Sequence, residues 1–250
     1  MPNIKTQATV IGFANYREND RMLTLLSSDM GKISVLARGC RKSKSPFLTA
    51  SELMATGEFV LYSNNNRYTL VSATIENSYY KICLDAYKFY CSSFALELCS
   101  VLTQENEDNH TILTILNNTL SLIENDTTNN ELAIINRFIF LILKYAGFKP
   151  RIVHCCNCES KISSENNEKL GFDFINGGVL CSNCVDENSQ IISKTTYLEM
   201  FKLAQFNKYD YNASLKSTDI LVFSILSKYL EAQLQYNFKS SKFLLIEGNK

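Results

Sequence analysis

The pattern of hydrophobic and polar positions changes period once along the chain, at Tyr79. Before it the pattern is strand-like. Ile4 to Phe13 is rich in Thr, Val and Ile, and Arg21 to Ser27 follows. Lys32 to Arg38 alternates, with Ile33, Val35 and Ala37 facing one way and Lys32, Ser34 and Arg38 the other. A turn at Asp29-Met30-Gly31 joins the second and third segments, and Asn64-Asn65-Asn66 joins Glu58 to Ser63 with Arg67 to Glu76. Phe47 to Met54, between the third and fourth strands, reads as a short helix. Five short strands with a helix in that place predict an OB-type barrel.

Beyond Tyr79 the period is helical. Ile82, Ala86, Phe89, Tyr90, Phe94, Leu98 and Val101 recur at spacings of three and four. Thr111 to Glu124 and Glu131 to Gly147 predict two more helices, the second closed by Gly147 and Pro150. Helical pattern returns over Thr196 to Phe206 and Thr218 to Tyr236. The expected fold is therefore α+β. A five-stranded OB-fold barrel spans 1–78, an α-helical domain spans 79–150 and 191–250, and a cysteine-bearing insertion fills 151–190. The Asn/Asp/Glu/Thr-rich stretches 104–110 and 125–130 read as loops.

The insertion carries the clearest chemistry. Cys155-x-x-Cys158 is followed, after 22 residues, by Cys181-x-x-Cys184. Two thiolates three positions apart on a tight turn grip one tetrahedral metal, and two such turns supply all four ligands. Between them, Gly171 to Ile175 leads through Asn176-Gly177-Gly178 into Val179-Leu180, a hairpin that delivers the second knuckle to the first. Soft thiolates favour one zinc ion, Zn2+, with an iron–sulfur cluster as the other option. Four protein ligands leave no open position, so the role is structural. His154 stands as an alternative first ligand to Cys155, and Cys156 reads as spare. Of the remaining cysteines, Cys83, Cys91 and Cys99 sit at helical spacing and read as small core residues.

Composition narrows the class. The chain has 250 residues, 46% of them apolar, enough for two domains with a sizeable core. Nine cysteines is an odd number and points to thiols kept for metal or burial in a reducing compartment. The longest apolar run, Phe138 to Leu143, is far short of the roughly 20 residues that cross a bilayer, and the N-terminus lacks a signal-type stretch. The net charge is zero but unevenly placed. Residues 1–50 hold eight basic and three acidic residues, whereas between Lys88 and Arg137 there are seven acids and no Lys or Arg. One region for an anionic partner and another for something else is the expectation.

The basic residues concentrate at Arg38-Gly39-Cys40-Arg41-Lys42-Ser43-Lys44-Ser45, at the end of a predicted strand. Arg38, Arg41, Lys42 and Lys44 are the candidate phosphate contacts, with Arg17, Arg21 and Lys32 in support. No catalytic constellation accompanies them. The two histidines, His110 and His154, lack a catalytic setting, and the Gly-x-x-x-x-Gly-Lys, Gly-x-Gly and Gly-x-Ser-x-Gly patterns are missing. Glu18 and Asp20 read as salt-bridge partners of the nearby arginines. The chain is expected to bind rather than catalyse. From these residues alone, a zinc-ribbon and OB adaptor acting on RNA or a transcription complex stands as the alternative to a DNA-binding protein.

Several segments, taken in order, resemble the RecO family of bacterial recombination mediators. Tyr16-Arg17-Glu18-Asn19-Asp20-Arg21-Met22-Leu23-Thr24-Leu25 is similar to that family's opening signature, and Gly31 to Gly39 followed by basic residues and serine to its second. Leu143-Lys144-Tyr145-Ala146-Gly147-Phe148-Lys149-Pro150 leading into Cys155-x-x-Cys158 is similar to a third, and Gly177-Gly178-Val179-Leu180-Cys181-x-x-Cys184 to the far side of its zinc module. Lys239-Ser240-Ser241-Lys242-Phe243-Leu244 resembles its closing stretch. Glu159 departs from the family, which often has Gly there. The resemblance implies a bacterial, cytoplasmic, nucleoid-associated protein that binds single- and double-stranded DNA and anneals complementary strands. It also implies the partners RecR, the C-terminal tail of single-stranded DNA-binding protein, and, indirectly, RecA. An acidic, apolar-ended tail needs an apolar groove with cations at its rim. The candidates in the helical region are Lys81, Lys88, Arg137, Lys144, Lys149, Lys202 and Lys208.

Overall fold

A computed structural model describes residues 3–65, 67–162, 169–206 and 220–247. Strands β1 (Asn3–Tyr16), β2 (Asp20–Ser27), β3 (Gly31–Ala37), β4 (Thr56–Asn64) and β5 (Arg67–Asn77) close into a barrel of order β1-β2-β3-β5-β4. The inward positions of the alternating segments fill it: Val10, Leu23, Leu25, Val35, Phe59 and Leu61 are fully buried. The register of β1 against β2 shifts between Val10 and Gly12, a bulge that bends the 14-residue strand round the barrel. The expected helix over Phe47 to Met54 is reduced to a single 3-10 turn, Thr49–Ser51. Serine side chains satisfy the backbone locally here, Ser45 accepting from Phe47 N–H and Ser51 donating to the Leu48 carbonyl, and such bonds compete with helix propagation.

The helical part comprises α1 (Ala86–Leu102), α2 (His110–Asn125), α3 (Glu131–Tyr145), α4 (Lys194–Gln205), α5 (Ile220–Leu234) and α6 (Ser241–Glu247). Asp85 caps α1 by accepting from the backbone N–H groups of Tyr87 and Lys88. Cys91 and Cys99 are buried in that helix as expected, but Cys83, in the preceding 3-10 turn, is exposed. No helix among the described residues is long and apolar enough to cross a membrane.

The chain divides into two compact units, Met1–Glu124 and Asn125–Lys250. The first two helices thus associate with the barrel, whereas the sequence pattern grouped them with the later helices. Polar contacts explain the association. Thr9 donates to the Asn117 side chain at 2.7 Å and pairs with Thr56 at 2.9 Å, and the Tyr79 hydroxyl donates to the Asn117 carbonyl at 3.2 Å. At the turn between β2 and β3, Lys32 N–H donates to the Gln104 carbonyl and Asn106 N–H to the Met30 carbonyl, both at 2.9 Å.

In the second unit α3 is buried from Glu131 to Leu143 and packs on α4 and α5. A three-stranded sheet of order β7-β6-β8 accompanies the helices: β6 (Leu170–Asp173), β7 (Gly178–Leu180) and β8 (Gln190–Ile192). Helix α5 carries this sheet. The Tyr229 ring meets the Phe172 ring edge-on at 5.8 Å, and Gln233 donates to the Phe174 carbonyl at 3.0 Å.

Gly31 shows how tight the first unit is. Its φ is +75°, and a Cβ there would collide with the Gln104 carbonyl. Gly31→Ala is expected to lower the stability of the native state by about 1–2 kcal/mol from the left-handed backbone, with the collision against the Gln104 carbonyl adding to that cost. Urea unfolding of both proteins checks this, through a lower midpoint for the variant.

Candidate metal centre and nucleic-acid interface

The four predicted thiols converge. The sulfurs of Cys155, Cys158, Cys181 and Cys184 all lie within 4.8 Å of one another. The Cys158 and Cys181 sulfurs are 3.7 Å apart. A tetrahedral ion with metal–sulfur bonds of about 2.3 Å needs sulfurs about 3.8 Å apart, so the cluster has the dimensions of a metal cage. Local hydrogen bonds build each knuckle. Glu159 N–H donates to the Cys155 carbonyl at 3.0 Å, and Cys184 N–H to the Cys181 carbonyl at 2.9 Å. Glu159 has φ +61°, the left-handed conformation for which glycine is suited, and the turn forms around it nonetheless.

The two knuckles are pinned together by the β6–β7 hairpin. Asp173 accepts from the N–H groups of Ile175 and Asn176, shaping the turn, and these bonds outweigh the effect of burial to hold its carboxyl below the usual range. Residues Arg151 to Cys156 then run beside β7. Val179 N–H donates to the Arg151 carbonyl at 2.8 Å, and Cys156 N–H donates to the Val179 carbonyl at 2.9 Å. Gly178 is required at this crossing, since a Cβ would sit 2.7 Å from the Arg151 carbonyl oxygen.

The thiols differ in acidity. Hydrogen bonds from the Ser160 side chain and backbone lower the Cys158 thiol to about 6. Burial opposes ionisation of Cys155, but backbone N–H donors from Cys158, Cys181 and Asn157 outweigh it and lower that thiol too. Cys184 goes the other way, raised to about 12 chiefly by its hydrogen bond with Cys158. Without an ion the negative charge therefore collects on Cys158 and Cys155. Thiolate is the form that binds metal. Cys156 is different: burial raises its thiol to about 11, it lies outside the four-sulfur set, and its role is in the hairpin bonding. His154 is exposed and pairs through a backbone bridge with Lys161, while Cys155 takes the ligand position.

The basic segment forms a loop docked on the β1–β2 turn. Asp20 accepts from Gly39 N–H at 2.7 Å, and Arg41 donates from its guanidinium to the Glu18 carbonyl at 2.9 Å. Asp20 and the Glu18 backbone therefore fix the loop through hydrogen bonds in place of the expected salt bridges. Arg38, Arg41, Lys42 and Lys44 are all exposed. Arg17, Arg38 and Lys42 line a hollow of about 750 Å³ with Tyr16, Glu18 and Asp20.

Two of the expected supporting cations are placed differently. Arg21 is stacked 4.1 Å over the Phe13 ring, donates to the Ser51 carbonyl at 2.7 Å and pairs with Glu52 at 2.8 Å. Lys32 donates to the Ser100 carbonyl at 2.5 Å, at the C-terminal end of α1 where a cation is favourable. Both brace the first unit. In their place the structure supplies Arg67, at the start of β5, which lines a neighbouring groove with Tyr16, Arg38, Tyr62 and Tyr68. Period-two alternation in β4, with Phe59 and Leu61 inward, is the signal that marks Tyr62 as outward-facing.

The expected tail-binding cations are scattered. Lys81 and Lys88 belong to the first unit, and Arg137, Lys144, Lys149 and Lys202 to the second. Arg137 is only 2% exposed, with its guanidinium 5.0 Å from the Phe206 ring centre, so it braces packing and presents no charge at the surface. Lys81, Lys144, Lys149 and Lys202 are exposed, Lys88 is half-buried, and Lys208 lies outside the described residues.

An OB-like barrel leading into helices, with a four-thiol cluster of metal-cage dimensions, defines a barrel-and-helix protein with a candidate structural metal centre. Sequence comparison makes the family specific. The model described as Recombination protein O N terminal matches residues 1–79, and that described as Recombination protein O C terminal matches residues 83–242. The chain belongs to the RecO family of DNA repair proteins. It is 26% identical over 248 residues to the DNA repair protein RecO of Caldicellulosiruptor saccharolyticus, covering 97% of this chain and 98% of that one. Against the DNA repair protein RecO of Clostridium perfringens strain 13 the identity is 30% over 197 residues, covering 79% and 78%. Against that of Acetivibrio thermocellus it is 26% over 251 residues, covering 98% and 97%.

Removing one thiol leaves the cage incomplete. Cys181→Ser is expected to lose a metal that the native chain retains at one ion per chain through gel filtration, and to open residues 151–190 to protease. Elemental analysis and limited proteolysis check this; full metal retention by the variant would remove Cys181 from the ligand set.

Proposed function

We infer that this chain is a recombination mediator that works by binding and carries no catalytic site of its own. It binds single- and double-stranded DNA through the phosphate backbone, anneals complementary strands and, with RecR, helps load RecA onto DNA coated by single-stranded DNA-binding protein. The observation that carries the DNA reading is the loop from Arg38 to Lys44, which presents four exposed cations on a barrel edge held by Asp20 and the Glu18 carbonyl. A loop anchored by its backbone keeps its charges ordered for phosphates. Membership of the RecO family supports the repair role. On this reading the protein acts in the bacterial cytoplasm at the nucleoid.

The four-thiol cage holds zinc. When bound, the ion cross-links the two knuckles, and its thiolate set matches soft-metal preference. The chain's own residues prepare the site: Ser160 and the backbone donors stabilise the sulfur charge, and the hairpin from Leu170 to Leu180 fixes the spacing.

The acidic tail of single-stranded DNA-binding protein meets the helical second unit. Of the candidates in that unit, Arg137 is buried and the exposed Lys144, Lys149 and Lys202 face it, with Tyr145 adding an exposed ring beside Lys144.

Replacing Arg41, Lys42 and Lys44 together with Ala is expected to reduce the dependence of log affinity on log salt by about two to three. Titrating labelled single-stranded DNA at several salt concentrations measures the slope, and an unchanged slope would mean that the loop is only a solvated surface. The same variant is expected to bind a labelled tail peptide with native affinity in an anisotropy titration. Loss of both activities from a protein folded by circular dichroism would mean one shared surface.

A further inference from the structure

The sulfur cage is not shielded evenly. Of the nine cysteines in the chain, only Cys83 and Cys158 are exposed. Cys83 belongs to the first unit, in the 3-10 turn before α1, whereas Cys158 is one corner of the cage in the second. The other corners are covered to different degrees: Cys155 is fully buried, Cys181 is 6% exposed and Cys184 is half-buried. Cys156, the thiol next to the cage, is buried as well. A solvent-borne reagent therefore meets the cage at Cys158.

The corner that solvent reaches has a partner across the cage. The Cys158 and Cys181 sulfurs are 3.7 Å apart and belong to different knuckles, 23 positions apart in sequence. A disulfide needs about 2 Å between its sulfurs, so the pair closes by a shift of under about 2 Å. The backbone around the pair is fixed without help from any sulfur. Cys156 N–H donates to the Val179 carbonyl and Val179 N–H to the Arg151 carbonyl, which holds the knuckles side by side. The hairpin between the knuckles is held in turn by α5. There the Tyr229 hydroxyl donates to the Phe148 carbonyl at 3.0 Å and lies so close to Gly177 that a Cβ would sit 2.7 Å from it.

We propose that Cys158 is an oxidation site for hydroperoxides and that Cys181 captures the product, so that the cage exchanges its metal for a disulfide between its two knuckles. The proposal rests on the zinc reading of the cage given above. In the first step the Cys158 sulfur attacks one peroxide oxygen. The O–O bond breaks, a sulfenic acid forms at Cys158, and the second oxygen leaves as hydroxide or alkoxide and takes a proton from water. In the second step the Cys181 sulfur attacks the Cys158 sulfur. The S–O bond breaks, the disulfide forms, and the hydroxide released is protonated by solvent. Two electrons have then passed from the two sulfurs to the peroxide. Two thiolates remain, Cys155 and Cys184, which are too few to retain zinc. A disulfide within one knuckle would free the metal too, but would leave the knuckles unlinked. The bond from Cys158 to Cys181 joins the same two knuckles that the metal joins, so the hairpin stays on α5. In a reducing compartment this disulfide is transient, because thiol exchange at the exposed Cys158 sulfur reopens it.

The test uses the full chain carrying Cys83→Ser, which removes the other exposed thiol. Its metal content is measured first. A chain without zinc fails the metal reading, and the oxidation site is then decided by the disulfide map alone. Hydrogen peroxide is added in small steps, zinc release is followed with a chromogenic chelator, and unreduced peptides are mapped by mass spectrometry. About one zinc is expected to leave per peroxide consumed, with Cys158–Cys181 as the main disulfide and dimedone trapping the sulfenic acid at Cys158. Dithiothreitol followed by zinc should restore the loaded chain. Protease is expected to cut residues 151–190 of the oxidised chain about tenfold or more slowly than those of a reduced chain stripped of metal by chelator. A main product within one knuckle, Cys155–Cys158 or Cys181–Cys184, would overturn the proposal. So would sulfinic or sulfonic acid at Cys158 without a disulfide, equal cleavage of the oxidised and stripped chains, or a cage that a large excess of peroxide leaves unchanged.

Discussion

Two rungs of parallel pairing, Val35 with Tyr68 and Leu36 with Thr69, close the barrel. The other four seams are antiparallel or follow from chain order, and they would leave an open, curled sheet with β3 and β5 as edges. An open edge is a row of unsatisfied backbone groups, and closure removes it. The same two rungs set the functional surface. They bring the start of β5, with Arg67 and Tyr68, beside the end of β3, with Leu36 and Arg38. With the faces of β3 fixed by its pairing to β2, a one-residue slip of β5 along that seam would take Leu70 out of the core and Thr69 off the outer wall together. Core packing and surface chemistry are thus one constraint read from two sides of the same strands.

What was legible in the sequence follows the range of the interactions. The cysteine pairs were legible because each knuckle is a local turn, and because a 22-residue spacing with a glycine hairpin inside it has few ways to fold. The basic loop was legible because its charges are contiguous. Arg21 and Lys32 were not, because their partners lie far along the chain: Arg21 reaches Ser51 and Glu52, and Lys32 reaches Ser100. A cation in a strand looks alike whether it faces solvent or the end of a distant helix. Arg137 carried a readable warning. It lies among Ile134, Ile135, Phe138 and Ile139, in a helix whose residues are apolar on every side, and such a helix is buried all round. The association of α1 and α2 with the barrel was hidden for the same reason as Lys32. It rests on Thr9, Thr56 and Asn117, three polar residues whose sequence neighbours give no sign that they meet.

The cysteine module shows a different economy. Its strands are three or four residues long, and a sheet of that size has too little apolar surface to be stable alone. Part of the deficit is met by α5, through Tyr229 on Phe172 and through Gln233. The rest falls to the sulfur cage, where metal binding and local folding are a single equilibrium. Glu159 fits this account. A left-handed non-glycine residue costs about 1 kcal/mol or more, and the turn tolerates it because the cage and its hydrogen bonds over-determine the backbone there. A module stabilised by ligation in this way needs no large core, so its surface residues are released from packing. The barrel takes the opposite course: its interior is filled with Leu, Ile, Val and Phe, and its chemistry is confined to one outer wall and the loop beside it.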